Sequence, residues 1–189
     1  MLTITKVFKH FGTITKHKWL VFKLAVKAGI PLRGLLHDLS KYSPAEFIEG
    51  VKYYNGKRSP NACAKEDYGY SKAWIHHFGR NKHHHQYWHD YDTPNQTPMM
   101  PYKYVVEMIC DDLSAGITYM GKDWYPGYQL KYWENRKDRL KVNENLKDLL
   151  TEVLTDVEKN GIDKVINKKK LKRLYAKYNA KELAKNKNR

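Results

Sequence analysis

The stretch TITKHKWLVFKLAVKAG, residues 13–29, places apolar side chains at helical spacing and closes on Gly29, a residue suited to a helix C-terminal cap. The same punctuation recurs along the chain. PLRGLLHDLSKY, residues 31–42, opens with Pro31 in the one turn of a helix that tolerates it. SPAEFIEGVKYYNG, residues 43–56, begins with Ser43, Pro44 and Glu46, a capping-box pattern, and ends on Gly56. Residues 57–70 read as a loop. From about Ser71 another helix is expected, carrying a run of histidines. DTPNQTPMMP, residues 92–101, is a turn-rich break, and YKYVVEMICDDLSAGITYM, residues 102–120, is the next helix. GKDWYPGYQ, residues 121–129, is a loop before two more helical stretches. Alternating β-branched residues are nearly absent, so the expectation is an all-α protein, a single-domain helical bundle.

A chain of 189 residues can bury one substantial core. Its net charge of +15 says nothing about fold, but it favours an anionic partner: nucleotide, nucleic acid or an anionic surface. The charge is unevenly spread. Residues 164–189 hold eleven Lys and Arg against one acid, Glu182, so this tail carries +10 and the rest of the chain +5. Leu171, Leu174, Tyr175 and Tyr178 fall at helical spacing within it. The expected organisation is a helical domain over residues 1–163 and a basic helical tail over 164–189, suited to contact with nucleic acid. Cys63 and Cys110 are too few for a disulfide framework, and Cys110 sits where a small apolar residue would. WLVFKLAV is interrupted by Lys23, no small-residue cleavage site follows it, and no stretch reaches a membrane span. The chain is therefore read as cytoplasmic, with no membrane contact and an oligomeric state that the sequence leaves open.

WIHHFGRNKHHHQYW, residues 74–88, holds five of the nine histidines. Packing alone rarely gathers so many imidazoles. Upstream, LLHDLSKYSPAEF sets His37 beside Asp38 directly after an apolar pair. Both side chains need partners if buried, and a divalent ion supplies one. Imidazole nitrogen with carboxylate oxygen suits Mn, Fe, Co, Ni or Zn. His17 lies on the first helix, and CDDLSAG places Asp111 and Asp112 on a later one.

HDLSKYSPAEF, AWIHH, RNKHHHQYW and EMICDD together resemble the HD-domain metal-dependent phosphohydrolase superfamily, and more narrowly an uncharacterised bacterial and phage family within or beside it. The resemblance spans roughly residues 10–120. It implies an HD-type helical bundle and one or two divalent transition-metal ions. His17, His37, Asp38 and Asp111 match the ligands of one ion. His77 and one of His83 or His84 match two further histidines of the branches that bind a second ion, with Asp38 bridging the two. Spacing alone leaves His76 with His83 as an equal pair, and Asp112 as a substitute for Asp111. Lys41 matches the lysine after the doublet, a phosphate contact, one turn beyond Asp38.

The residues suggest further roles. The Arg80 guanidinium is suited to gripping a phosphate, and Asn81 lies beside it as a substrate contact. His10 reads as solvent-exposed, and His85 and His89 as surface or supporting residues. Glu46 reads as a helix cap, and Tyr87, Trp88 and Tyr91 as core aromatics. The phosphate-binding glycine loops, the G-x-S-x-G elbow and the H-E-x-x-H helix are all missing from the sequence. The function expected is metal-assisted hydrolysis of a nucleotide or other phosphoester. Two rivals carry the same ligands: an HD-type di-iron oxygenase, and a nucleic-acid or host-interaction protein with a structural metal.

Overall fold

A computed structural model describes residues 3–93 and 97–187. Ten α-helices make up the described chain, and no strand occurs in it. They are α1 (Ile4–Lys27), α2 (Pro31–Leu36), α3 (Pro44–Tyr53), α4 (Pro60–Tyr68), α5 (Lys72–Arg80), α6 (Tyr102–Met120), α7 (Tyr128–Glu134), α8 (Glu144–Asn160), α9 (Ile162–Val165) and α10 (Lys168–Lys187). The all-α expectation holds.

Local chemistry sets most boundaries. Thr3 caps α1 by accepting from the Lys6 amide at 3.3 Å. The helix stops where Gly29 takes φ +78°, a conformation that a side chain would strain. Ser71 caps α5 by accepting from the Trp74 amide at 3.0 Å, and its own hydroxyl donates to Glu49. Asn143 caps α8. Pro44 and Pro60 open α3 and α4 at the position where no amide is missed.

Three expectations are corrected. Residues 57–70 are not a plain loop, because α4 fills Pro60–Tyr68. Residues 31–42 are not one helix. The chain breaks at His37 and Asp38 and resumes as a 3-10 turn over Leu39–Tyr42. The histidine run is not one helix either, since α5 ends at Arg80 and a second 3-10 turn covers His85–Trp88. The break expected over residues 92–101 lies partly outside the described residues.

The main core sits between α1, α6, α8 and α10. Val21, Val106, Ile109, Leu113, Leu149 and Val153 are fully buried there. The tail belongs to this core. Leu171, Leu174 and Tyr178 of α10 are buried in it, and Tyr175 donates from its hydroxyl to the Met100 carbonyl at 2.9 Å. Cys110 is buried without a partner cysteine, as expected of a small apolar residue in α6.

Candidate metal centre

His37 leaves the helical region at φ −55°, ψ 130°, and Asp38 follows at φ 53°, ψ 31°. Asp38 is the single non-glycine residue with positive φ among the described residues. An aspartate tolerates the left-handed region better than most side chains. At this turn both side chains are buried, His37 to 1% and Asp38 to 2% exposure. Buried groups of this kind are costly unless something pairs them.

Four other segments bring partners. α1 contributes His17, α6 contributes Asp111, α5 contributes His77, and the segment after α5 contributes His83 and His84. Their ligand atoms form two groups that share Asp38. His17, His37, Asp38 and Asp111 make one, and Asp38, His77, His83 and His84 make the other. Within each group the ligand atoms lie within 4.8 Å of one another. The two Asp38 oxygens divide between them. Oδ2 lies 3.2 Å from His37 Nε2, while Oδ1 lies 3.3 Å from His77 Nε2 and 3.4 Å from His83 Nε2. His17 Nε2 lies 2.9 Å from Asp111 Oδ1.

The Nε2 atoms of His17, His37, His77, His83 and His84 and both Asp38 oxygens are buried without a properly directed hydrogen bond. A protein rarely leaves so many polar atoms unmatched in one place. Nitrogen and carboxylate donors converging from five segments are a set that a divalent transition ion satisfies. The residues present therefore fit such an ion in each group.

The backs of the imidazoles are held as well. Glu107 Oε1 faces His37 Nδ1 at 3.1 Å and His83 Nδ1 at 3.4 Å, and its other oxygen accepts from Arg33 Nε at 2.8 Å. Glu46 faces His77 Nδ1 and His76 Nδ1, each at 2.7 Å. A carboxylate on Nδ1 leaves Nε2 free for a metal and fixes the ring. His37, His83 and Glu107 also lie close enough to form a third group. That group uses the Nδ1 atoms of rings whose Nε2 atoms already point to Asp38, so Glu107 acts there as an orienting partner.

Charge states follow from the packing. Burial opposes ionisation of Asp38, but the neighbouring charges of His37, His77 and Lys41 hold it well below the usual carboxylate range. Asp111 is likewise held low against burial by the His17 and His37 imidazoles that face it. Burial pushes His84 well below the ordinary imidazole value, and His17 down as well. Both rings are thereby neutral, the form that binds metal. Burial works against a charge on His37, yet Asp38 and Asp111 raise it well above its ordinary value.

A cleft of about 690 Å³ opens beside the cluster, lined by His17, His77, His84 and Asp111 among others. Lys41, Lys57, Arg58, Lys65 and Arg136 contribute to its walls beside the carboxylates of Glu46, Asp111 and Asp112. Trp74 lies there too, with Lys65 Nζ 4.7 Å from its ring centroid. Lys41 Nζ sits 2.6 Å from Asp38 Oδ2 at the cleft's inner wall.

The structure brings His17, His37, Asp38, Lys41, His77, His84 and Asp111 to this one place, and His83 joins them, so the choice between His83 and His84 is no choice. Asp112 turns away to Arg136 at 3.2 Å. Arg80 is exposed at the end of α5 and is not among the residues lining the cleft. Asn81 ends α5 and donates to Ser40 Oγ and to the His77 carbonyl, both at 2.8 Å, so it braces the ligand segments instead of facing the cleft. Glu46 is no simple cap, because Ser43 makes no capping hydrogen bond and the Glu46 carboxylate is committed to two histidines. His10 is buried against Phe47 and Gly50 instead of exposed, and burial followed by the Lys41 charge lowers it to about 4. His85 lines the cleft, lowered to about 4 by burial. Of the aromatic run, Trp88 packs on the core, whereas Tyr91 is 71% exposed. No motif in the sequence marks Glu107. Its one signal is position: it lies four residues before Asp111, on the same face of α6.

A family model described as "Family of unknown function (DUF5662)" matches residues 6–167. No curated protein and no solved structure matches the chain.

Proposed function

This chain belongs to a family of unknown function (DUF5662), and from the centre it builds we propose that it is a metal-dependent phosphohydrolase acting on a nucleotide or another phosphoester. The observation that carries the reading is two ligand groups that share Asp38 and that reach a cleft through His17, His77, His84 and Asp111. His17, His37, Asp38 and Asp111 would hold one divalent ion, and Asp38, His77, His83 and His84 a second. A divalent ion bound there supplies a water of lowered pKa and a Lewis acid for a phosphoryl oxygen. The protein's own groups do the rest. Lys41 is kept charged by Asp38 and Asp111 despite its burial, and its ammonium, 2.6 Å from Asp38 Oδ2, would stabilise negative charge that builds up on a phosphoryl group bound beside it. Lys57 and Lys65 would draw an anionic substrate into the cleft, while Arg58 is held by Glu66. Arg80, proposed from the sequence as a phosphate grip, is replaced in that role by these wall residues.

Purified protein should carry divalent transition metal, and His37→Ala or Asp38→Ala should strip most of it, measured by elemental analysis. Supplied with Mn²⁺, Co²⁺ or Ni²⁺, the protein should turn over at least one member of a panel of mononucleotides, dinucleotides and cyclic nucleotides. Lys41→Ala should keep its metal and lose rate by about 100-fold, the usual size of one charge stabiliser. A fully metallated protein that turns over nothing in the panel would overturn the hydrolase reading. O₂ consumption by the iron-loaded protein would put an oxygenase in its place.

A further inference from the structure

No acidic residue precedes Asp38 in this chain, while residues 1–37 contain seven Lys and Arg. The metal centre uses none of these seven as a ligand. On the outer side of α1, Ile4 is 75% exposed, Phe8 69% and Trp19 58%. Phe11 and Val26 are about half exposed as well. At 100° per residue, Ile4, Phe8, Phe11, Thr15, Trp19, Phe22 and Val26 all fall within an arc of about 80°. α1 thus has two apolar faces. The inner one carries Ile14, Val21 and Leu24 into the core, together with His10 and His17. The outer one is covered in part, by α2 at Phe22 and by Tyr42 at Phe11, and leaves Ile4, Phe8 and Trp19 exposed.

The outer stripe continues beyond α1. α2 lies directly on it: a Cβ at Gly34 would stand 2.5 Å from Ala25 Cβ and 3.0 Å from Phe22 Cα. Leu32, Leu35 and Leu36 of α2 and Leu39 beyond it are all about half exposed or more. Phe11 meets the Tyr42 ring edge-on at 5.7 Å, which joins the 3-10 turn to the same surface. A single exposed leucine is unremarkable, but a continuous patch of this extent marks a contact surface.

The flanking charge identifies the occupant. Lys9, Lys16 and Lys23 recur every seven residues along one border of the stripe, all exposed. A second copy of the chain would bring two such basic borders together, and neither α1 nor α2 has a carboxylate to pair them. An aromatic and aliphatic stripe with a lysine border is what an interfacial helix presents to anionic lipid. We propose that the α1–α2 face docks the protein on an anionic phospholipid surface, with α1 lying in the plane of the interface. That no helix among the described residues is long and apolar enough to cross a membrane says nothing against this mode of contact. His10 and His17 are on the opposite side of α1, so docking leaves the cleft open to its substrate. The proposal stands apart from the hydrolase reading.

Flotation with the full-length, metal-loaded protein tests it, using vesicles of phosphatidylcholine with about 30 mol% phosphatidylserine against pure phosphatidylcholine. The wild type should float with the anionic vesicles only, and NaCl at about 0.5 M should release most of it. The triple variant Lys9→Glu, Lys16→Glu, Lys23→Glu should bind on the order of 100-fold more weakly. The triple variant Phe8→Ser, Trp19→Ser, Leu32→Ser should lose at least about 10-fold. All six side chains are exposed, so circular dichroism and metal content should match the wild type in both. Binding that neither variant weakens, or no binding to anionic vesicles, would overturn the proposal. A wild-type dimer that the apolar variant converts to monomer in sedimentation would overturn it in favour of a second copy.

Discussion

Glu107 shows how much of the centre depends on residues that need not touch an ion. It is lowered to about 2: burial opposes its charge, but the His37 hydrogen bond and the facing His83 imidazole outweigh that. Its carboxylate therefore stays ionised and turns two rings at once toward Asp38. Glu107→Gln keeps the shape and removes the charge. It should weaken metal binding by about 10- to 100-fold without removing a ligand, as competition with a chelator would measure. Unchanged affinity would reduce Glu107 to a partner of Arg33. The protons on the ligands give a second handle. In the metal-free protein, burial opposes a charge on His37 and His77, yet Asp38 raises both above the ordinary histidine value. A ligating imidazole must be neutral, so binding expels those protons. Affinity should then rise with pH as long as the pH is below these raised values and level off above them, where the competing protons are already lost. Calorimetry at neutral pH in buffers of different ionisation enthalpy should detect the release. Metal uptake with no proton release would mean that these two rings are neutral beforehand.

At the scale of elements, α10 combines two properties of the tail. Its charge makes residues 164–189 basic, and Leu171, Leu174, Tyr175 and Tyr178 at helical spacing give it a face that can dock. In the structure Val165, Ile166, Leu171, Leu174 and Tyr178 are all buried, on the same core as α8 and α6. Burying one such side chain contributes about 1.5–3 kcal/mol, and five together rival the whole stability of a small domain. A chain ending at residue 163 should therefore lose its cooperative unfolding transition in urea, even though no proposed ligand is removed. A truncated chain with the wild-type midpoint would restore the separate tail. The break between α2 and the following 3-10 turn teaches a related lesson. Apolar spacing runs on through PLRGLLHDLSKY, and nothing in that pattern announces the left-handed Asp38. The helix gives way where two polar side chains have to enter the interior together.

For the whole molecule, the centre is assembled from α1, the turn after α2, α5 with the segment after it, and α6. An ion held by all of these ties them to one another, and its binding energy becomes folding energy. Chelation should lower the melting temperature, and restoring metal should recover it. A melting curve indifferent to chelator would mean that the cluster is held without an ion. None of the helices among the described residues is long and apolar enough to cross a membrane.

The all-helical class was legible because helical spacing, caps and the scarcity of strand alternation are local properties of the chain. His17, His37, Asp38, His77 and Asp111 were legible because their order along the sequence resembles a metal-binding superfamily, and that order survives without knowledge of distances. Tertiary structure alone decided the remainder. His83 and His84 both reach Asp38 because α5 stops at Asn81 and the chain turns back, whereas an unbroken helix would have offered one face and one choice. Glu46 and Glu107 became supports for imidazoles because α3 and α6 pack beside them, and no pairwise spacing encodes which carboxylate will meet which ring. Arg80 left the cleft for the same reason: where a side chain points depends on the rotation of its helix against its neighbours. Packing sets that rotation, and packing is a property of residues far apart in the chain.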